Sequence, residues 1–428
     1  MGNPILSVTE WEPVELPQQV AGEVRLAINE LKDVLRPQIS QLDSQPDGTT
    51  TVRNLLGSVR LPSGDTLHVH PRHAVDDTWA ESVAQLLDSD TRIAVTGSQR
   101  SSQSHNRNDL VTAVALEYAN RLDAALRRVG PIEAYRRERY LSRRLTGHLR
   151  LSQWLRTAVL NPAMFPVERD SFTPANDFSH ALAKVAAMLA FSARSGRLAS
   201  RLLALERQLL PGHPAPTIVD PAVAAHPMPI QWAPYRPAWD IACAVLRNRS
   251  VVGDPGTVTG LEVAVEPWPL LETLLERTLR AFAHASNGEY EFTPKRKYPL
   301  LSHSTNDQPP QSVRDQSVEP DGLLSRNSVP AVSFEAKYTT WTSAPHRNHV
   351  FQTLTTAAAL GTSTAVLVYP GNQALRLYDV TGFAGSPRCL ATLGLSMFTY
   401  RRRTGDTDRS KLIAALLEEV AQTSPASS

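Results

Sequence analysis

The chain has 428 residues, with 44 Lys plus Arg against 42 Asp plus Glu and a formal net charge of +2. That length exceeds one ordinary hydrophobic core, and the charge balance is too even to announce a nucleic-acid binder by itself. Hydrophobic residues at 42% and charged residues at 20% fit a soluble protein of two or three domains.

The first ~105 residues read as mixed α/β. ILSVTEW (5–11), LLGSVRL (55–61) and the alternating TLHVHPR (66–72) are candidate strands, with the helix-like VAGEVRLAINELKDVLR between the first two. SQLDSQPDGTTT (40–51) is polar and turn-rich, which predicts a surface loop or a projecting hairpin that could enter a partner. His68, His70 and His73 form H-x-H-x-x-H, and alternation puts the first two on one face. A metal site is conceivable there, but no Cys lies nearby, and an exposed strand end is the plainer reading.

From about residue 108 the pattern turns helical. NDLVTAVALEYANRLDAALRRV opens on a capping residue and stops at Gly130-Pro131. The basic run that follows carries Arg136, Arg137, Arg139, Arg143 and Arg144, with Tyr135 and Tyr140 interleaved. It fits a track for a DNA backbone, and equally a solvated helical face paired with Glu133 and Glu138. HALAKVAAMLAFSARSGRLASRLLALERQL reads as a helix pair, the Pro-rich stretch 209–237 as a wrapping linker, and DIACAVLRNRS as a short helix.

The last part begins near Val263. EPWPLLETLLERTLRAFAHA is an amphipathic helix carrying Glu272, with Glu276 a competitor for any role in a site. The segment 303–320 is polar and Pro-containing, and its composition predicts mobility. Next come a hairpin through GLLSRNSVPAVSFEAKY, a helix from about Asn348 to Leu360, the strands TAVLVYP and QALRLYDV, and the helix SKLIAALLEEVAQ.

That hairpin carries the chemistry. Asp321 begins one strand, and Glu335 and Lys337, two apart, share a face of the next. Two carboxylates converging at a strand end make a hard-oxygen site suited to Mg²⁺, with Mn²⁺ expected to substitute. Such an ion offsets charge at a scissile phosphate, while a neighbouring ammonium orients the attacking water. Only six of the 44 basic residues are Lys (Lys32, Lys184, Lys295, Lys297, Lys337 and Lys411), so a Lys inside a motif marks a place where a guanidinium does not fit. The apolar neighbours Ala331, Val332, Phe334 and Ala336 predict a largely buried strand, where charge needs a purpose. Gln352, on the following helix, and Glu272, on the preceding one, complete the expected set. The α-β-β-β-α-β order is that of a restriction-endonuclease-like core, and the residues fit PD-(D/E)xK.

VRNLLGSVRLPSGDTLHVHPR, GPIEAYRRERYLSRRLTGHLRLSQWL, FPVERDSFTPANDFSHALAKVAAMLA, PLLETLLERTL, PDG, FEAKY, VFQTL and VLVYP together resemble McrC, the nuclease subunit of McrBC-type modification-dependent restriction systems. The family often has Asp at the position of Glu335, Asp at that of His349 and an aromatic motif where this chain reads TTAAA. The resemblance implies a multi-domain α/β chain. It divides into an N-terminal partner-binding domain (1–107), a helical middle region (108–255) and a C-terminal PD-(D/E)xK nuclease domain (256–428). It also implies double-stranded DNA as substrate and recruitment to a hexameric AAA+ GTPase or ATPase resembling McrB, which the chain stimulates. No G-x-x-x-x-G-K-[ST] is present: AVTGSQRSS and VVGDPGTVTG both lack the Lys-Ser/Thr end, so a motor must be another polypeptide.

Three bulk features bear on location. The two cysteines, Cys243 and Cys389, offer no disulfide framework. The N-terminus lacks a basic-then-apolar leader, and no apolar run approaches the ~20 residues that span a bilayer. The expectation is a cytoplasmic protein that does not engage a membrane.

Overall fold

The computed structural model describes residues 5–35, 41–44, 49–74, 78–87, 93–98, 110–193, 195–247, 260–300, 316–339, 344–382 and 385–423. Packing divides the chain into two units. One gathers Met1–Thr96, His105–Ala113 and Glu262–Ser428, and the other Gly97–Ser104 and Val114–Leu261. The three-part division read from the sequence sets 1–107 apart from 256–428, whereas packing joins most of both.

The first unit contains two larger sheets. In the five-stranded one the order is Ile5–Thr9, Thr66–His70, Leu56–Arg60, Gly260–Val265 and Ile93–Ser98. The helix Gln18–Leu35 covers it. Val24, Ile28, Leu31 and Leu35 recur at three- and four-residue spacing, and they meet Leu55, Val59, Leu67 and Val69 in one apolar cluster. Leu42–Ser44 and Thr49–Val52 pair antiparallel, so the turn-rich linker is a hairpin whose tip, 45–48, lies outside the described residues.

The six-stranded sheet runs Tyr290–Pro294, Gly322–Arg326, Val329–Ala336, Thr364–Tyr369, Cys389–Gly394 and Arg376–Asp379. Its first three strands are antiparallel neighbours; Val329–Ala336, Thr364–Tyr369 and Cys389–Gly394 are parallel to one another. The Cys389–Gly394 strand, absent from the sequence reading, enters between the two strands that were foreseen. The helix Arg347–Leu360 buries Leu354 and Ala357 against Ala365, Leu367 and Leu390. Most of the segment 303–320 lies outside the described residues, and within it Ser317–Val318 pairs with Tyr298–Pro299.

The N- and C-terminal parts of this unit are bonded together. Ser82 Oγ donates to the Phe398 carbonyl at 2.6 Å, Arg401 donates to Ser82 Oγ at 2.7 Å and to Thr78 Oγ1 at 2.6 Å, and the Tyr338 hydroxyl donates to Glu10. His68 is buried and its Nδ1 lies 2.9 Å from Ser58 Oγ, because its strand is flanked on both sides. The exposed strand end expected there is not found. Among the described residues no His, Cys, Asp or Glu cluster of three or more is arranged to hold a metal.

The second unit is helical only in part. Asp177–Ser192, capped by the Asn176 side chain accepting from Ser179 N at 3.0 Å, packs on Gly196–Leu209. The basic run is a β-strand, Ala134–Ser142, paired antiparallel with Phe165–Thr173, and His148–Leu149 joins the other edge. This corrects the helical reading. Cross-strand pairing with a segment thirty residues on overrides the local charge spacing.

Candidate active site

Asp321 precedes its strand in the sequence P-D-G. Its N–H donates to the Phe334 carbonyl at 3.0 Å and its Oδ2 accepts from Ala336 N at 2.8 Å, so it is held against the strand that carries Glu335. Gly322 permits this arrangement. A Cβ there would collide with Leu279 of the helix Pro267–Ala285, so glycine lets that helix press onto the start of the Asp321 strand. The same approach brings Glu272, two turns earlier on the helix, beside Asp321.

All five residues expected from the sequence therefore meet. Asp321 is 7% exposed and Glu335 5%. Lys337 Nζ donates to Glu335 Oε1 at 2.7 Å and to Gln352 Oε1 at 3.0 Å, and Gln352 Nε2 donates to the same Glu335 Oε1 at 2.7 Å. The other Glu335 oxygen, Oε2, is buried without a hydrogen-bond partner in the chain. Glu276, the competitor on the helix, pairs with Arg280.

Lys295 was not foreseen as a site residue. Its Nζ lies 3.0 Å from Asp321 Oδ1 and 2.9 Å from Glu272 Oε1, bridging the two carboxylates. The signal was present in the scarcity of Lys, but it follows the strand Tyr290–Pro294, which the sequence reading left unassigned.

The electrostatics follow from burial and crowding. Glu272 is pushed up to about 7, by burial first and by the Asp321 charge second, with Lys295 opposing. Glu335 is raised by the same two causes, against Lys337. Burial would lower Lys295, but the charges of Asp321 and Glu272 outweigh it and raise it. His349 is lowered to about 4 by burial, then by Lys337 and His346, so it is neutral at pH 7. A cavity of about 850 Å³ opens on these groups.

The basic run has separate partners. Arg137 pairs with Asp170 at 3.2 Å, Arg139 with Glu168 at 2.9 Å, and Arg136 donates to the Ala175 carbonyl at 3.3 Å. The sequence reading had Glu133 and Glu138 as the partners; the strand pairing supplies Glu168 and Asp170 instead. Arg143 and Arg144, on the turn beyond the strand, are exposed.

A family model described as the McrBC 5-methylcytosine restriction system component matches residues 50–370. The chain belongs to this family. Its fold is similar to that of a chain in the refined half-complex from the tetradecameric assembly of Thermococcus gammatolerans McrB AAA+ hexamers with bound McrC. The TM-score is 0.58 at 13% identity, over 96% of this chain and 100% of that one. A chain of the cryo-EM structure of the Thermococcus gammatolerans McrBC complex matches with a TM-score of 0.43 at 15% identity, over 65% of this chain and 88% of that one. No curated relative matches. The McrC resemblance read from the sequence motifs agrees with the family match, and the mixed α/β class agrees with the structural one. Among the described residues, no helix is long and apolar enough to cross a membrane.

Proposed function

We propose that the chain is the Mg²⁺-dependent DNA endonuclease subunit of an McrBC-type restriction system, acting on double-stranded DNA with a McrB-like AAA+ NTPase. The observation that carries this reading is the convergence of Asp321, just before one strand, and Glu335, on the neighbouring strand, with Lys337 and Gln352 both bonded to Glu335 Oε1. The order of helix and strands around them supports a PD-(D/E)xK core.

The donor set fits Mg²⁺. Asp321 and Glu335 would hold the ion, and Glu272 would support it; one or two carboxylates are enough because Mg²⁺ keeps several waters. Two further features fit a cation. Glu335 Oε2 is buried and unpartnered, and Asp321 repels both glutamates, so a divalent ion would relieve a cost built into the fold. Lys295 supplies one positive charge at this position, between Asp321 and Glu272. When bound, the ion supplies Lewis-acid stabilisation of phosphate charge. Lys337 orients the attacking water and meets the charge that develops on phosphorus. Gln352 fixes Lys337 and Glu335 relative to each other. The leaving 3′ or 5′ oxygen departs in line.

Manganese binding tests the metal assignment without cleavage. Followed by electron paramagnetic resonance, the wild-type chain binds Mn²⁺ and Asp321→Asn loses at least about tenfold in affinity. Equal binding by both would remove Asp321 from the metal site.

Arg143 and Arg144 remain the backbone-contact candidates in the basic run, because Arg137 and Arg139 are committed to ion pairs. Replacing both Arg143 and Arg144 by Ala should reduce the slope of log affinity against log salt by about 1–2. An unchanged slope in DNA titrations would place the DNA elsewhere.

A further inference from the structure

The cavity beside the carboxylates is larger than the proposed metal requires. A hydrated ion with roughly six waters, each of about 30 Å³, fills only a fraction of its 850 Å³. Two indoles line it close to the reacting groups. Trp268 stands on the Asp321 side: its ring centroid is 5.9 Å from Lys295 Nζ, which is itself 3.0 Å from Asp321 Oδ1. Trp11 stands on the Lys337 side: its chain neighbour Glu10 accepts a hydrogen bond from Tyr338, the residue after Lys337. Both indoles are half-buried.

Three side-chain polar atoms of the residues in this wall lack a partner within the chain. Asn54 is 2% exposed, it lines the cavity, and its Oδ1 finds no hydrogen bond within the chain. The same holds for the indole Nε1 of Trp11 and of Trp268. Buried donors and acceptors are ordinarily satisfied, so three orphans around one cavity point to a ligand that has both kinds of group. The backbone agrees. Trp11 has φ of 64° and Asn54 of 49°, and a bulky aromatic residue in the left-handed region is rare outside sites where conformation serves a purpose.

We propose that this cavity receives an unstacked nucleotide of the DNA strand next to the scissile phosphate, its base against an indole and its edge on the Asn54 amide. The proposal rests on the nuclease reading. An aromatic face accepts any base, because every base has a π-face, and a carboxamide both donates and accepts, as base edges do. The two lysines of the cavity leave the adjoining phosphate on the charged side. The site therefore discriminates a strand that can unstack from one that cannot, without reading sequence.

The test uses the full chain carrying Lys337→Ala, to suppress cutting, and short DNA duplexes with 5-iododeoxyuridine at successive positions. After ultraviolet irradiation, mass spectrometry should place the cross-link on Trp11 or Trp268. In the same background Trp268→Ala should weaken DNA binding roughly tenfold, and Trp268→Phe, which keeps a stacking face, should restore most of it. Tight DNA binding with cross-links at neither indole would overturn the nucleotide pocket and leave the nuclease reading standing. No DNA binding by the folded parent would overturn both.

Discussion

Lys337→Ala should lower DNA cleavage by roughly 10²–10⁴-fold, the range expected when a positioned proton-handling or charge-stabilising side chain is removed from a reacting centre. Lys337 Nζ sits 2.7 Å from Glu335 Oε1 and 3.0 Å from Gln352 Oε1, with only 17% of its side chain exposed. On the proposed chemistry truncation removes the ammonium from the attacking water, and it also removes the charge that opposes burial and Asp321 in keeping Glu335 ionised. Both effects act in the same direction. Lys337→Arg should remain well below wild type, since a planar guanidinium cannot replace a compact point charge between two oxygens. Single-turnover cleavage, with thermal melting to verify folding, measures the effect. A Lys337→Ala chain that folds and cuts within a few-fold of wild type would remove Lys337 from the chemistry.

The largest expected effect on stability belongs to Glu10. It is buried against Tyr338, and burial raises it from about 4.5 to about 8, against the hydrogen bond from Tyr338 and the influence of Arg72. A carboxyl whose folded value is raised is protonated in the folded chain while it is ionised in the unfolded one. Its contribution to stability is thus fully present below about pH 4.5 and is lost as pH rises to about 8. A shift of this size corresponds to on the order of 5 kcal/mol. Glu10→Gln keeps an acceptor for Tyr338 and does not ionise, so the variant should gain stability relative to wild type between pH 5 and pH 8. Glu272 and Glu335 are raised too and slope the same way in both proteins. The comparison of the two proteins, by urea unfolding at each pH, isolates Glu10. A difference that stays constant across that window would show that Glu10 is not buried in this way.

The hairpin of the site was legible because its information is local. Alternating Val332, Phe334 and Ala336 define a buried strand, and Glu335 and Lys337 fall two apart on it. P-D-G marks where the preceding strand begins, and the helical pattern from about Asn348 places Gln352 one turn in. Lys295 was not legible as a partner, since its place depends on the pairing of Tyr290–Pro294 with Gly322–Arg326 rather than on any nearby motif. The Arg136–Arg144 run misled because its charges fit helical spacing. The strand exists through nine cross-strand pairs to Phe165–Thr173, a partner that local patterning does not reveal. The bond from Tyr338 to Glu10 joins residues 328 apart in sequence. No composition or spacing signals a contact of that kind, and so Trp11 and Asn54 reach the cavity wall unannounced.

The central claim is that Asp321, Glu335 and Lys337 cut DNA under the control of a nucleotide-driven partner. Plasmid cleavage with Mg²⁺ tests it most directly, using the full chain with a McrB-like AAA+ partner, with and without GTP or ATP, and Lys337→Ala in parallel. The expected result is cutting by wild type only with partner and nucleotide, and no cutting by the variant although it still stimulates the NTPase. If both proteins stimulate the NTPase and neither cuts modified or unmodified DNA, the chain is an adaptor and the carboxylate site does no chemistry.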